Sequence, residues 1–410
     1  MEKNEYLKQL FQQEFSKMVA VISNLFGLQH IETAEDIVSE TFLQATETWE
    51  VKGIPANPPA WLYAVAKQKT LYYFRRNNIL EKKVIPRVIA SHEKYEEPGM
   101  PDFSDQNIKD SLLRMIFAIC TPAIASEAQI GLALRILCGF NIDEIAEAFL
   151  SNKEAINKRL FRAKEKLRQE KIQLEMPDPK EIPARLGNVL HIIYLLFNEG
   201  YYSATQDSVL RRDFCYEALR LGIMLTEYEK TNLPLTNALV ALMCFHASRF
   251  DARETADGSM ILYEEQDAGL WNAALIKQGL HFLEISMQGN EISSYHAEAQ
   301  IAYWHCLKED TPVKWSNILS LYNQLLMINY SPAVALNRTF ALYKVSGPQE
   351  AIKEAEKLKL DNNRFYFLLL GELFSSVDKS KSIACYEKAL LLAKTDAEKQ
   401  TIRKKMDMLS

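Results

Sequence analysis

Residues that break helices are scarce in this 410-residue chain, which holds only 14 glycines and 14 prolines. Strand-like alternation of polar and apolar residues is nearly absent. Long stretches instead repeat apolar residues at i, i+3, i+4 and i+7, which predicts an all-α protein. Cysteine is also sparse. Cys120, Cys138, Cys215, Cys244, Cys306 and Cys385 stand singly among mostly apolar neighbours, so neither a disulfide framework nor a zinc spacing is indicated. Small buried thiols in a reducing cytosol fit them better. No Gly-rich phosphate loop, metal-ligand spacing or nucleophile motif is present, which argues against an enzyme and leaves no metal or cofactor to expect.

No apolar run approaches the roughly 20 residues of a membrane span. The start, MEKNEYLKQLFQQEF, is too polar for a signal peptide. No membrane partner and a cytoplasmic location are therefore expected. Positive charge is not in excess either: 48 basic against 53 acidic residues give a net charge of −5. That excludes a uniformly basic nucleic-acid coat and leaves room for a local basic patch.

Two breaks divide the chain. Residues 86–108, PRVIASHEKYEEPGMPDFSDQNI, mix Pro, Gly and acids without helical period, as a linker does. The stretch 173–183 contains EMPDPKEIP, whose three prolines interrupt any helix. The expected parts are two small helical domains, 1–85 and 109–172, and a larger helical domain, 184–410. In the last, LNRTFALYKVSGPQEAIKEAEKL and LLLGELFSSVDKSKSIACYEKALLLA each read as helix, turn, helix. Ala351 and Ala384 lie 33 positions apart, near the 34-residue tetratricopeptide period, and Gly371, Ala384 and Ala389 suit close helix crossings. Generic αα-hairpin packing explains the same pattern equally well.

AEDIVSETFLQA places Asp36, Glu40 and Gln44 on one helix face and Val38, Phe42 and Ala45 on another. By itself such a stripe favours a solvated face over a binding site. After the Pro-rich turn 52–59 comes AWLYAVAKQKTLYYFRRN, in which Trp61, Leu62, Val65, Leu71 and Phe74 alternate with Lys67, Lys69, Arg75 and Arg76, with Tyr63, Tyr72 and Tyr73 added. Basic residues interleaved with aromatics suit single-stranded DNA, through stacking and phosphate neutralisation. An amphipathic helix with core aromatics fits as well.

In LRILCGFNIDEIAEAFLSNKEAINKRLFRAKEKLR, an acidic-capped helix (143–149) meets the turn Leu150-Ser151-Asn152 and then a second helix. This is helix-turn-helix anatomy, with Ser151 or Asn152 as N-cap. Ile156, Leu160, Ala163 and Leu167 form one apolar stripe. Lys153, Asn157, Lys158 and Arg162 then face outward with Arg159 at the boundary, a surface that a DNA major groove admits. Further on, FNEGYYS offers Asn198, Glu199 and Tyr201. HASRFDAR places His246, Arg249 and Arg253 at i, i+3 and i+7, expected on one helix face, and Asp267 follows. This polar cluster suits a small ligand or a contact to the first domains, although a structural ion-pair network favours the same residues more strongly.

The order of these pieces resembles an extracytoplasmic-function (group IV) bacterial sigma factor of RNA polymerase. AEDIVSETFLQA looks like the part of region 2 that grips the polymerase β′ subunit. PAWLYAVAKQKTLYYFRRN looks like the part that melts and reads the −10 element. IDEIAEAFLSNKEAINKRLFRAKEKLR looks like the −35-reading helix-turn-helix of region 4. LLRMIFAICTPAIASEAQIGLALRILCGF, YLLFNEGYYSA, ALMCFHASRFDAR, EEQDAGLW and SPAVALNRTFAL are similar to the long subfamily with a C-terminal tetratricopeptide-like extension, so the likeness spans nearly the whole chain. Family members usually carry Asn where Gln68 stands, Asp where Tyr72 stands and His where Thr121 stands.

The resemblance implies a region 2 bundle, a region 4 helix-turn-helix and a regulatory helical domain. It implies core RNA polymerase (β′ and β subunits) and promoter DNA as partners. The fused helical domain itself suggests regulation within the chain, by an intramolecular contact between the C-terminal domain and the sigma domains or by a contact to the polymerase. Asp36, Glu40 and Gln44 would dock on the polymerase. Trp61, Lys67, Gln68, Tyr72, Arg75 and Arg76 would meet the −10 strand, and Lys153, Asn157, Lys158, Arg159 and Arg162 the −35 groove. Asn198, Glu199, His246, Arg249, Arg253 and Asp267 would form the regulatory cluster. The alternative is a stand-alone helix-turn-helix regulator with a ligand- or protein-binding helical domain, which leaves the aromatic-basic helix 60–76 without a purpose.

Overall fold

The computed structural model describes residues 2–84, 100–149, 151–201, 211–253, 261, 263–289, 292–393 and 396–409. Among them no strand occurs. The chain forms two compact units, Met1–Glu199 with Glu227–Thr231, and Gly200–Thr226 with Asn232–Ser410.

The first unit contains α1 (Glu2–Phe26), α2 (Ile31–Lys52), α3 (Pro58–Val84), α4 (Asp105–Ile119), α5 (Ser126–Leu132), α6 (Ile142–Ala148), α7 (Lys153–Gln169) and α8 (Ile182–Tyr201), the last crossing into the second unit. α5 runs on into a π-helical turn, Ala133–Leu137. Gly27 and Gly53, at φ 85° and 79°, end α1 and α2 in a conformation that L side chains rarely adopt. α1 packs along α4. Phe15, Met18, Val19 and Ile22 of α1 and Met115, Ile116 and Phe117 of α4 are all fully buried, each stabilising the fold by about 1.5–3 kcal/mol.

The stretches expected as two small domains thus lie in one unit. α4 starts at Asp105, inside the expected linker 86–108, of which residues 86–99 lie outside the described residues. Nor does the proline break at 175–183 part the units. α8 returns to α4: Arg185 donates to Phe117 O at 2.8 Å, and Asn188 Nδ2 donates to Cys120 O at 2.8 Å and Gln129 Oε1 at 3.0 Å. The second unit begins at Gly200 rather than at 184.

That unit contains α9 (Arg212–Thr226), α10 (Pro234–Ala247), α11 (Phe250–Arg253), α12 (Ala273–Ser286), α13 (Ser294–His305), α14 (Pro312–Ile328), α15 (Pro332–Ser346), α16 (Pro348–Leu358), α17 (Arg364–Phe374), α18 (Lys379–Leu392) and α19 (Asp396–Asp407). α10 is buried almost all round and packs on α9, α12 and α13. Proline opens α10, α14, α15 and α16, where the missing N–H is no loss. From α14 onward each helix packs on the next.

The pairing of α17 with α18 rests on Gly371, where an added Cβ would meet the Tyr386 ring at 2.7 Å. Ser382 Oγ donates to Gly371 O at 2.7 Å. Of the small residues expected at crossings, Ala351 and Ala389 are fully buried, but Ala384 is exposed. Ala355 and Ala389, 34 positions apart, are both fully buried.

Candidate functional site

α2 turns Ile37, Val38, Thr41, Phe42 and Ala45 into the core, which leaves Asp36, Glu40 and Gln44 exposed in a row. Partial desolvation, then the carboxylates of Glu35, Glu40 and Glu32, hold the Asp36 carboxyl above its usual range. The face is therefore self-repelling and suited to a cationic partner. Glu40 meets Lys69 of α3 at 3.2 Å.

Asn57 caps α3, its Oδ1 accepting from Ala60 N at 3.1 Å. Leu62, Val65, Ala66 and Thr70 are buried, whereas Gln68, Tyr72, Arg75 and Arg76 are exposed at i, i+4, i+7 and i+8, on one face. Tyr72 is 68% exposed, and no partner for it occurs among the described residues. Trp61 is half-buried, edge-on to Trp49 with centroids 5.3 Å apart, and Lys67 is half-buried too. Phe74 and Tyr73 turn inward onto Phe26, at 4.3 and 5.4 Å. The aromatic residues of this helix thus divide between core and surface.

Asn141 and Glu144 cap the start of α6 reciprocally: Glu144 N donates to Asn141 Oδ1 and Asn141 N to Glu144 Oε2, both at 2.9 Å. Asn152 caps α7, its Oδ1 accepting from Ala155 N at 2.8 Å. Leu150 of the expected turn lies outside the described residues. Ile156, Leu160, Ala163 and Leu167 are buried. Lys153, Asn157, Lys158 and Arg162 are exposed and Arg159 is half-buried. Lys153 pairs with Asp143 at 3.0 Å and Arg159 with Glu127 at 3.5 Å. Beside α7 runs a groove of 530 Å³, floored by Ala123, Ile124 and Ala128 and edged by Lys158, Arg159, Arg162 and Lys166. Lys166 was not among the expected contacts, although it lies one turn beyond Arg162.

The end of α7 is turned inward. Lys164 bonds Glu35 of α2, which also holds Arg135 at 2.9 Å. Arg168 reaches Glu32 at 2.5 Å and Gln29 O at 3.0 Å. Glu35 has no distinguishing mark in the sequence, since it is one of four acids between positions 32 and 40.

The third cluster assembles differently from its expectation. His246, Arg249 and Arg253 do not share a helix, because α10 ends at Ala247. Ser248 Oγ turns back onto Phe245 O at 2.7 Å, and Arg253 belongs to the short α11. They converge instead on Tyr201: His246 Nδ1 lies 3.0 Å and Arg249 3.5 Å from its hydroxyl, and Arg253 sits 3.9 Å over its ring. Asp267 caps the next turn through Gly269 N at 2.8 Å. Asn198 and Glu199 fall in the first unit, where burial, then Glu127, raises the Glu199 carboxyl. Among the described residues, no group of three or more His, Cys, Asp or Glu side chains is placed to hold a metal ion, and no helix is long and apolar enough to cross a membrane.

Residues 10–79, which carry the exposed faces of α2 and α3, match sigma-70 region 2. The match supports a sigma-70 family role in transcription initiation, in which core RNA polymerase and promoter DNA are the partners. Residues 185–287 match a family of unknown function, DUF6596. An uncharacterized protein of Rhizobium meliloti (strain 1021) is 32% identical over 387 residues, 93% of this chain and 91% of its own, and the chain belongs to the same family. No solved structure matches it.

Proposed function

We propose that the chain is a sigma factor of the extracytoplasmic-function kind, with its own regulatory domain attached. Asp36, Glu40 and Gln44 dock on the polymerase β′ subunit. Gln68, Tyr72, Arg75 and Arg76, with Trp61 and Lys67 half-buried beside them, take the melted −10 strand. Lys153, Asn157, Lys158, Arg159 and Arg162 enter the −35 major groove as the second helix of a helix-turn-helix. The tetratricopeptide-like helices of the second unit set activity through the sigma helices or the polymerase. All of this takes place in the cytoplasm.

The observation that carries the reading is the pairing of two unlike exposed faces within the region 2 match. Asp36, Glu40 and Gln44 on α2, with Glu40 bonded to Lys69 of α3, accompany a row on α3 of an amide, an exposed tyrosine and two arginines. Aromatic and cationic groups together suit unstacked bases, and a row of acids suits a basic protein surface. No bond chemistry is needed, since binding energy opens the promoter and the polymerase catalyses synthesis.

Titrating labelled chain with purified core polymerase tests the docking face. The double variant Asp36→Ala/Glu40→Ala is expected to bind about tenfold or more weakly at low salt, because close interfacial charge pairs contribute about 1.5 kcal/mol or more. Its binding should also depend less on salt than the wild type's. Equal affinity would remove the acidic row from the interface.

A further inference from the structure

Two arginines of the second unit reach the same phenol. Arg249 donates to the Tyr201 hydroxyl at 3.5 Å, and the Arg253 guanidinium lies 3.9 Å over the Tyr201 ring. Tyr201 is 3% exposed and Arg249 only 8%. Other arginines of this unit hold carboxylates: Arg211 pairs with Asp213, Arg212 with Asp251 and Arg220 with Glu217. Among the described residues no carboxylate pairs with Arg249 or Arg253.

The surroundings are short of acceptors as well. Arg249 Nε, Trp271 Nε1 and His305 Nδ1 are buried without hydrogen-bond partners. The Tyr263 ring links them: Arg249 lies 5.5 Å from its centre, Trp271 6.4 Å and His305 5.1 Å. Lys314 joins the same ring at 5.3 Å, with its ammonium bonded to Tyr263 Oη at 3.0 Å and Leu307 O at 2.6 Å. The neighbouring carboxylate, Asp310, is itself engaged by Lys344 at 3.1 Å and by Trp315. Burial, then Arg249, pushes His246 and His305 below their ordinary range, which favours their neutral imidazoles.

A buried guanidinium without a counter-charge is expensive, and it is retained where an anion completes it. Guanidinium groups match planar carboxylate and tetrahedral phosphate oxygens with paired hydrogen bonds. We propose that Arg249 and Arg253, walled by Tyr201 and Tyr263, bind the oxyanion of a small molecule, a carboxylate or a phosphate, as the effector of the regulatory domain. The effector role rests on the regulation proposed above; the binding does not.

Thermal unfolding of the full chain tests the binding without any transcription readout. The probes are inorganic phosphate, pyrophosphate, acetate and citrate, against chloride at equal ionic strength. Phosphate-class or carboxylate-class probes are expected to raise the melting temperature of the wild type with concentration, and the class that responds identifies the anion. Arg253→Gln, half-exposed and so tolerant of change, should weaken binding about tenfold or more, as should Arg249→Gln if it folds. Arg403→Gln, exposed on α19, should behave as wild type. No shift beyond chloride with any probe, or an equal shift in Arg253→Gln, would overturn the proposal. A bound response that then leaves promoter output unchanged would remove only the effector role.

Discussion

Arg135 Nε donates to Glu35 Oε1 at 2.9 Å, across 100 positions of sequence, and joins the π-helical turn after α5 to the start of α2. The other oxygen of Glu35 takes Lys164 of α7, and Glu35 itself is 6% exposed. One carboxylate therefore holds two cations where water cannot replace it. Glu35→Gln keeps the shape and strands both, so it should cost about 3–5 kcal/mol. The exposed partner pair is the control: Glu32→Gln releases Arg168 at the surface and should cost below about 1 kcal/mol. Urea unfolding of both variants gives the ratio. Equal small losses would mean that Glu35 does not bind these helices together.

The return of α8 to α4 makes a second case. Asn188→Ala leaves Cys120 O and the Gln129 side chain without their donor, an expected loss of about 1–3 kcal/mol. Truncation before Ile182 should destabilise the remaining helices further, whereas truncation after Tyr201 should leave α8 in place. Melting curves of the two truncated chains check the order, and the reverse order would place α8 with the second unit.

Acid should weaken the second unit. Burial, Arg249 and Lys314 push His305 down to about 3, while the unfolded side chain titrates near 6.5. Between those values the unfolded chain binds the extra proton, so stability present above pH 6.5 is lost as pH falls. At pH 5 the loss from His305 is about 2 kcal/mol, and His246, lowered by the same kind of surroundings, adds to it. Unfolding measured at pH 7 and pH 5 should show the decline, and His305→Gln should reduce it. A flat profile would contradict it.

On the DNA side, Lys158 and Arg162 both edge the groove beside α7. If each meets a phosphate, Lys158→Ala lowers the slope of log affinity against log salt by about 1, and the double variant lowers it by about 2. Anisotropy with promoter duplex and polymerase, over a salt series, reads both slopes. An unchanged slope in the double variant would move these residues off the phosphate backbone.

How much of this the sequence disclosed depended on the range of the interaction. Local periodicity was enough for α7: its buried stripe and exposed cations lie where spacing puts them, and Asn152 caps it. The same reasoning failed at 246–253, because Ser248 ends α10 through a local hydrogen bond that periodicity does not register. His246, Arg249 and Arg253 meet at Tyr201 by tertiary packing. Ala384, spaced from Ala351 as a helix crossing would be, is exposed, whereas Ala355 and Ala389 are buried. Glu35 and Asn188 act on partners 59 to 129 residues away, distances over which one sequence gives no pairing signal.

Run-off transcription with purified core polymerase on promoter DNA tests the central claim most directly. The account predicts promoter-specific transcripts with the wild-type chain, and their loss, by about tenfold or more, with either Asp36→Ala/Glu40→Ala or Arg162→Ala. Transcripts that start equally well without the chain, or that survive both sets of substitutions, would contradict it.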